Sequence, residues 1–323
     1  ANDLGGFTLE AAASAPAGDP AALEAASARI RSRFDAGAVP EPLAREIRDA
    51  YTTMGAPPVA VRSSATAEDL PEMSFAGQQD TFLNVVGDEA LLGAVVRCWS
   101  SLWTARAIGY RARNGLPHDG VALAVVVQEM VRSEASGVLF TANPLTGKRS
   151  ETVVDATLGL GEALVSGLVE PDHYVVDDGR IVSKALGAKA VAIEPVEGGG
   201  TRQVSVDGGR RQALPDDAIL ELASMGHRAA TLFGSPQDVE WAWAGGRVLL
   251  LQSRPITSLF PVPEGLAAGP MRVLVSFGAI QGMLAPMTPL GRDLFRGLVA
   301  TIARRFGSEA TRETQRFVTV AAG

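Results

Sequence analysis

Near Val121 the chain stops spacing its apolar residues for helices and begins spacing them for strands, and this change constrains the fold more than any other feature. Before it, Ala21–Arg33, Glu41–Thr52 (Pro42 in its first turn) and a long stretch from Asp88 to about Arg113 carry apolar residues three or four apart. In the last of these Leu91, Leu92, Val95, Val96, Trp99, Leu102 and Ile108 share a face. After it come short runs suited to strands: Val121–Met130, Ser136–Asn143, Glu151–Thr157, Asp172–Val176 and Ile181–Leu186. One helix, Pro215–Gly234, interrupts them, and a hairpin of Asp238–Ala244 with Arg247–Leu251 completes them. Pro57–Val61 is a lone apolar strand among the helices. Residues 1–20, rich in Ala, Gly and Pro, predict a loose lead-in, and the polar, glycine-rich residues 196–212 an exposed loop or hairpin. Helices and strands in mixed order predict an α+β arrangement rather than a doubly wound parallel sheet.

After Arg254-Pro255 the composition shifts. A domain over 1–258 is expected, then a linker over 259–270 containing Pro261, Pro263, Gly265, Gly269 and Pro270. Residues 271–323, with a strand at Arg272–Phe277 and a helix at Gly291–Phe306, are too few to close a core and are expected to begin a second domain. The 29 basic residues among 323 are scattered, and net charge is −7, so no basic stripe offers itself to nucleic acid. No run approaches the ~20 apolar residues a membrane crossing needs; Val121–Val127 is too short. A single cysteine, Cys98, excludes an internal disulfide and fits a reducing compartment, so a cytoplasmic setting is expected. Its place in a helical pattern beside Trp99 makes it a core residue. The chain opens on Ala rather than Met, which predicts that this is not the natural start or that the start has been processed. Lys148, Lys184 and Lys189 are the only lysines, so any phosphate clamp must use Arg, backbone N–H groups and metal.

Three clusters carry chemistry. The polar segment Arg62–Asp80, with Ser63, Ser64, Thr66, Ser74, Gly77, Gln78 and Gln79, is longer than a turn and leaves a strand. An arginine with hydroxyls and glycines can grip a polyphosphate, although a capped surface loop reads the same way and no P-loop ending is present. In the hairpin, Glu240 interrupts Val239, Trp241 and Trp243, while Gln252 and Arg254 follow Leu249–Leu251. A carboxylate and an amide oxygen are hard ligands suited to Mg2+ carrying nucleotide phosphates. They can share an ion only on one face. A two-residue Gly245-Gly246 turn would pair Glu240 with Leu251 and separate them. A three-residue loop, Gly245–Arg247, or an equivalent bulge, pairs Glu240 with Gln252 and Asp238 with Arg254; the three-residue form is predicted. An ordinary hairpin with a solvated polar face is the alternative. Gln128-Glu129-Met130-Val131 ends an apolar strand and could read an adenine edge, or simply emerge into solvent.

Several stretches resemble the ATP-grasp module of the phosphoenolpyruvate-utilising enzymes. Val61-Arg62-Ser63-Ser64-Ala65-Thr66-Ala67-Glu68-Asp69, continuing through Phe75-Ala76-Gly77-Gln78-Gln79-Asp80-Thr81, is similar to the phosphate-loop signature. Ser136-Gly137-Val138-Leu139-Phe140-Thr141, Gly159-Leu160-Gly161-Glu162 and Leu251-Gln252-Ser253-Arg254-Pro255 extend the likeness over roughly residues 40–258. Thr141–Gly147, Gly161–Gly167 and Gln252–Thr257 are more similar to the rifampin phosphotransferase branch, with the phosphoenolpyruvate synthase branch next.

The resemblance implies an ATP-grasp fold of two subdomains with mixed or antiparallel sheets, and ATP and Mg2+ as its ligands. It implies that Arg62 holds phosphates, that Gly77, Gln78 and Thr81 line the phosphate loop, and that Gln128, Glu129 and Val131 bind adenine, Glu129 meeting the ribose. Glu240 and Gln252 would bind Mg2+, and Arg254 the phosphates being cleaved, making Arg62 and Arg254 the catalytic pair. ATP would be split to AMP and phosphate, and a histidine on a separate swivelling domain would pass a phosphoryl group to rifampin or, alternatively, pyruvate. A non-catalytic nucleotide-binding regulator is a third reading. Nothing matches the family's opening glycine-rich segment and ATP-contacting lysine. His118, His173 and His227 lie outside the family's histidine-domain context, so this polypeptide alone is expected to bind nucleotide without completing transfer.

Overall fold

The computed structural model describes residues 4–65, 69–70, 73–74, 80–207, 211–259 and 301. The chain divides into two compact units, Ala1–Thr257 and Ser258–Gly323. Of the second, only residues 258, 259 and 301 are among those described, and Thr301 is helical and exposed. The expected strand at Arg272–Phe277 and most of the linker therefore lie outside the described residues.

In chain order the first unit contains α1 (Leu4–Ala13), α2 (Pro20–Asp35), α3 (Glu41–Thr53), β1 (Val59–Ala65), β2 (Asp69–Leu70), β3 (Met73–Ser74) and β4 (Thr81–Val85). Next come α4 (Asp88–Ser101), α5 (Ala105–Arg113), β5 (Leu123–Glu129), β6 (Ala135–Phe140), β7 (Glu151–Leu158) and α6 (Glu162–Val165). It closes with β8 (Asp172–Asp177), β9 (Arg180–Ala185), β10 (Val191–Pro195), β11 (Thr201–Ser205), α7 (Asp216–Phe233), β12 (Gln237–Ala244) and β13 (Arg247–Pro255). Two sheets organise it: a three-stranded one ordered β4-β1-β5 and a six-stranded one ordered β13-β12-β6-β7-β8-β9. All their pairings are antiparallel. The α+β expectation holds. Among the described residues no helix is long and apolar enough to cross a membrane.

Each sheet is apolar on one face because its strands alternate, and each buries that face under a helix. On the large sheet Leu139, Val154, Ala156, Tyr174, Val239 and Trp241 pack with Leu222, Ala223 and Ile219 of α7. On the small sheet Val59, Val61 and Val85 pack with Leu91, Val95 and Cys98 of α4 and with Tyr51. Burial raises the Cys98 thiol to about 12, in keeping with a core residue. A third cluster joins α1, α2 and α5 through Ala11, Leu23, Ile30, Trp103 and Ile108.

The structure corrects several sequence-based expectations. The lead-in holds α1, which buries Thr8, Ala11 and Ala12 despite Gly5 and Gly6 in its first turn. The long helix from Asp88 is two helices, because Thr104 starts a new one by accepting from Ala107 N at 3.2 Å. The break lets α4 face the small sheet while α5 faces α2, two cores that one straight helix could not serve. The polar segment does not begin at Arg62: β1 runs on to Ala65, so Arg62 is a strand residue. Within residues 196–212, Thr201–Ser205 pairs with an unforeseen strand, Val191–Pro195.

Candidate functional site

Strand parity decides where the hairpin's polar groups point. Val239 and Trp241 are fully buried towards α7, so Asp238 and Glu240, between and beside them on β12, face the other way. The turn is the two-residue one, Gly245-Gly246, with both residues at positive φ (57° and 73°), a backbone that glycine adopts at little cost. The predicted three-residue loop is therefore wrong. Its consequence survives because a bulge restores the register: Trp241 pairs with Leu250 but Glu240 with Gln252, leaving Leu251 unopposed. Asp238 then pairs with Arg254. The Leu251 carbonyl accepts from Gln128 Nε2 at 3.2 Å, which ties the bulge to the small sheet.

Arg62 enters from that small sheet. Val59 and Val61 are fully buried beneath it, so Arg62 and Ala60 take the opposite face, with Gln128 directly across from Ala60 and Thr81 across from Arg62. One guanidinium nitrogen, Arg62 Nη2, donates to Glu240 Oε2 at 2.5 Å and also to Gln252 Oε1. The Arg62 side chain is 17% exposed and that of Glu240 35%. Two oxygens from neighbouring strands thus converge on a single cationic atom.

Arg254 is held by Asp238, its Nε at 2.9 Å and Nη2 at 2.8 Å from Oδ2. Burial raises the Asp238 carboxyl above the usual carboxylate range; the Arg254 charge and hydrogen bond oppose the shift and Glu240 adds to it. Sequence reasoning placed Asp238 opposite Arg254 without giving it a role.

Between the sheets lies a cavity of ≈ 300 Å3. Arg62, Thr81, Gln128, Glu129, Val131 and Glu240 of the expected site residues line it. Gln252 reaches it only through Arg62, and Arg254 stands two residues further along β13, engaged with Asp238. Gly77 and Gln78 lie outside the described residues. Much of the remaining wall is apolar: Leu83, Met130, Val138, Leu160, Ala242 and Leu251, of which Leu83 belongs to no segment singled out in the sequence. Ser136 and Gly161 were quoted for their motifs but given no role, though both line the cavity, as do Ser133 and Glu162. Ser133 Oγ and Ser136 Oγ both donate to Gly159 O, at 2.9 and 2.6 Å. Gly159 has φ +71°, and a Cβ there would stand 2.4 Å from Ile193 O. Strand β10 fixes this wall, since Leu160 N donates to Ile193 O at 2.9 Å.

A largely apolar slot ending at Glu240 and Arg62, with Gln252 bound to that arginine, suits a flat ring at one end and polyphosphate at the other. Glu240 and Gln252 fit Mg2+ in kind, as hard oxygen donors meeting at one point. Among the described residues no group of three or more His, Cys, Asp or Glu could hold a metal. The donor set therefore suits an ion whose remaining ligands come from phosphate.

These features define an ATP-grasp nucleotide-binding module. Residues 2–262 match the family described as pyruvate phosphate dikinase, AMP/ATP-binding domain, and the chain belongs to it. It is 49% identical over 282 residues to a rifampicin phosphotransferase from a Streptomyces species, covering 86% of this chain and 32% of that protein. It is 49% identical over 246 residues to the rifampicin phosphotransferase of Bacillus subtilis (strain 168), covering 76% of this chain and 28% of the relative. The phosphoenolpyruvate synthase of Pyrococcus furiosus is 46% identical over 259 residues, 75% of this chain and 32% of the relative. The chain thus spans about a third of the length of these curated relatives.

Proposed function

We propose that this chain is the ATP-binding part of a dikinase-type phosphotransferase that splits ATP to AMP and phosphate. A histidine on another domain would receive the phosphoryl group and deliver it to rifampicin. The observation that carries this reading is the meeting of Arg62, Glu240 and Gln252 at the polar end of the apolar cavity. Adenine lies in the slot walled by Val131, Leu160 and Leu251, with the backbone near Glu129 and Val131 reading its edge and Glu129 meeting the ribose. Thr81, with Gly77 and Gln78 of the motif that precedes it, guides the phosphates. Arg62 and Arg254 bind phosphate oxygens and stabilise the negative charge that accumulates as the bond breaks. Glu240 and Gln252 would hold Mg2+, which when bound supplies charge neutralisation to the phosphates. Asp238 holds Arg254 in place between turnovers. The setting proposed is the cytoplasm, where a buried reduced Cys98 and ATP coexist.

Rifampicin is preferred as acceptor because the rifampicin phosphotransferases match at 49% identity. Pyruvate is the second reading, supported by phosphoenolpyruvate synthases at 46%. The full-length protein should be incubated with ATP and either rifampicin or pyruvate, and products resolved by mass spectrometry and 31P NMR. Phosphorylated rifampicin with AMP and phosphate is expected. Phosphoenolpyruvate would move the assignment to the second reading, and no ATP consumption with either acceptor would overturn both.

A further inference from the structure

We propose that Arg62 is also a gate on the metal site: its guanidinium keeps a divalent cation off Glu240 and Gln252 until a polyphosphate draws it away. Metal then enters with nucleotide, not before it. The proposal rests on the Mg-ATP reading of the cavity. Its basis is that one atom, Arg62 Nη2, contacts both ligand oxygens, Glu240 Oε2 at 2.5 Å and Gln252 Oε1. A cation occupies the point at which the two donors meet, so guanidinium and metal ion compete for the same place.

The guanidinium suits a gate that responds to ligand. Its planar fork binds phosphate oxygens at least as well as a carboxylate, so a triphosphate arriving along the slot offers it a better partner. The backbone need not move, since Arg62 sits mid-strand, paired on both sides to Thr81 and Val126, and only side-chain torsions change. Asp238, the other acid on this face of β12, is already engaged by Arg254 and does not divert Arg62. Nor do the protein's two donors make a strong site alone, because Mg2+ expects six oxygens.

The test is Mn2+ binding, without nucleotide, to the whole 323-residue chain by electron paramagnetic resonance. Arg62→Met should bind Mn2+ at least about tenfold more tightly than wild type, the factor expected from releasing a charge-assisted hydrogen-bonded pair. Arg62→Met/Glu240→Gln should lose that gain. Arg97→Met, which removes an equal charge from α4, where Arg97 stacks on Phe82 outside the cavity, should not show it. Urea midpoints establish that each variant is folded, and Arg62→Ala provides a second route if Arg62→Met is not. Unchanged Mn2+ affinity in the Arg62 variants, a gain that survives Glu240→Gln, or an equal gain in Arg97→Met overturns the gate. Mn-ATP binding to wild type and Glu240→Gln separates the two readings. If it weakens in Glu240→Gln while the Arg62 variants show no gain, the gate fails and the metal assignment stands. If it is indifferent to Glu240→Gln, the metal assignment fails and the gate with it.

Discussion

Replacing Arg254 by alanine should cost stability in a way that depends on pH. Arg254 makes two contacts, at 2.9 and 2.8 Å, to one oxygen of an Asp238 whose side chain is 13% exposed. Charge-assisted hydrogen bonds of this kind contribute about 1.5–3 kcal/mol, and the 33% exposure of Arg254 screens part of that, so a loss of about 1–2 kcal/mol near pH 7 is expected. The sign of the pH dependence follows from Asp238. Burial already raises its carboxyl, and in the variant the two influences from Arg254 that oppose the shift are gone, while burial and Glu240 remain. A raised carboxyl favours the folded state fully below the ordinary carboxylate range, and this contribution is lost as pH rises through the folded value. The variant should therefore be most impaired at neutral and higher pH and approach wild type in acid, where Asp238 takes up a proton instead of standing as an unpaired buried charge. Urea denaturation of both proteins at pH 7.5 and at pH 5 measures the difference. Asp238→Asn/Arg254→Ala, which has no charge to strand, should recover part of the loss at pH 7.5. An equal deficit at both pH values, with no recovery in the double variant, would refute the electrostatic account.

Arg62→Ala in the complete enzyme should lose at least about a hundredfold in turnover with the fold intact, read from AMP formation and circular dichroism, as should Arg254→Ala under conditions where it remains folded. Gly159→Ala, whose Cβ would stand 2.4 Å from Ile193 O at φ +71°, should displace the Gly159–Glu162 wall and weaken ATP binding by calorimetry more than it alters Arg62-dependent Mn2+ binding. Cys98, with its thiol raised to about 12 by burial, should resist iodoacetamide at pH 8 in the folded protein and react in urea; rapid labelling of folded protein would contradict its place in the core. Leu222→Ala, which opens space between α7 and the large sheet, should cost about 2–5 kcal/mol in urea denaturation.

The facing of Glu240 and Gln252 was legible in sequence because it is a question of parity. Val239 and Trp241 had to point inward, which fixed Glu240 outward, and Gln252 could join it only if the register slipped by one residue. How the register slipped was not legible. A bulge at Leu251 and a loop one residue longer pair the same residues, and the choice depends on Gln128 capturing the Leu251 carbonyl, a contact between residues 123 apart. The same limit hid the cavity wall. Gly159–Glu162 stood out as a motif, but its support comes from Ile193 on a short strand whose place beside it is fixed by tertiary contact. Helix α1 escaped notice because Gly5 and Gly6 give it poor intrinsic propensity, and it is held by burying Ala11 and Ala12 against α2. Arg62 appeared to begin a loop because polar residues follow it. Pairing with β5 through Ala65 carries the strand onward, and this places the guanidinium over the hairpin.

The central claim is that an acidic and an amide side chain on adjacent strands bind the metal that accompanies ATP. Isothermal titration of ATP into the wild-type chain and Glu240→Gln, each with and without Mg2+, tests it most directly. Wild type should bind more tightly when Mg2+ is present, and Glu240→Gln should lose that increment while keeping metal-free ATP binding. An Mg2+ increment of equal size in both proteins would contradict the account.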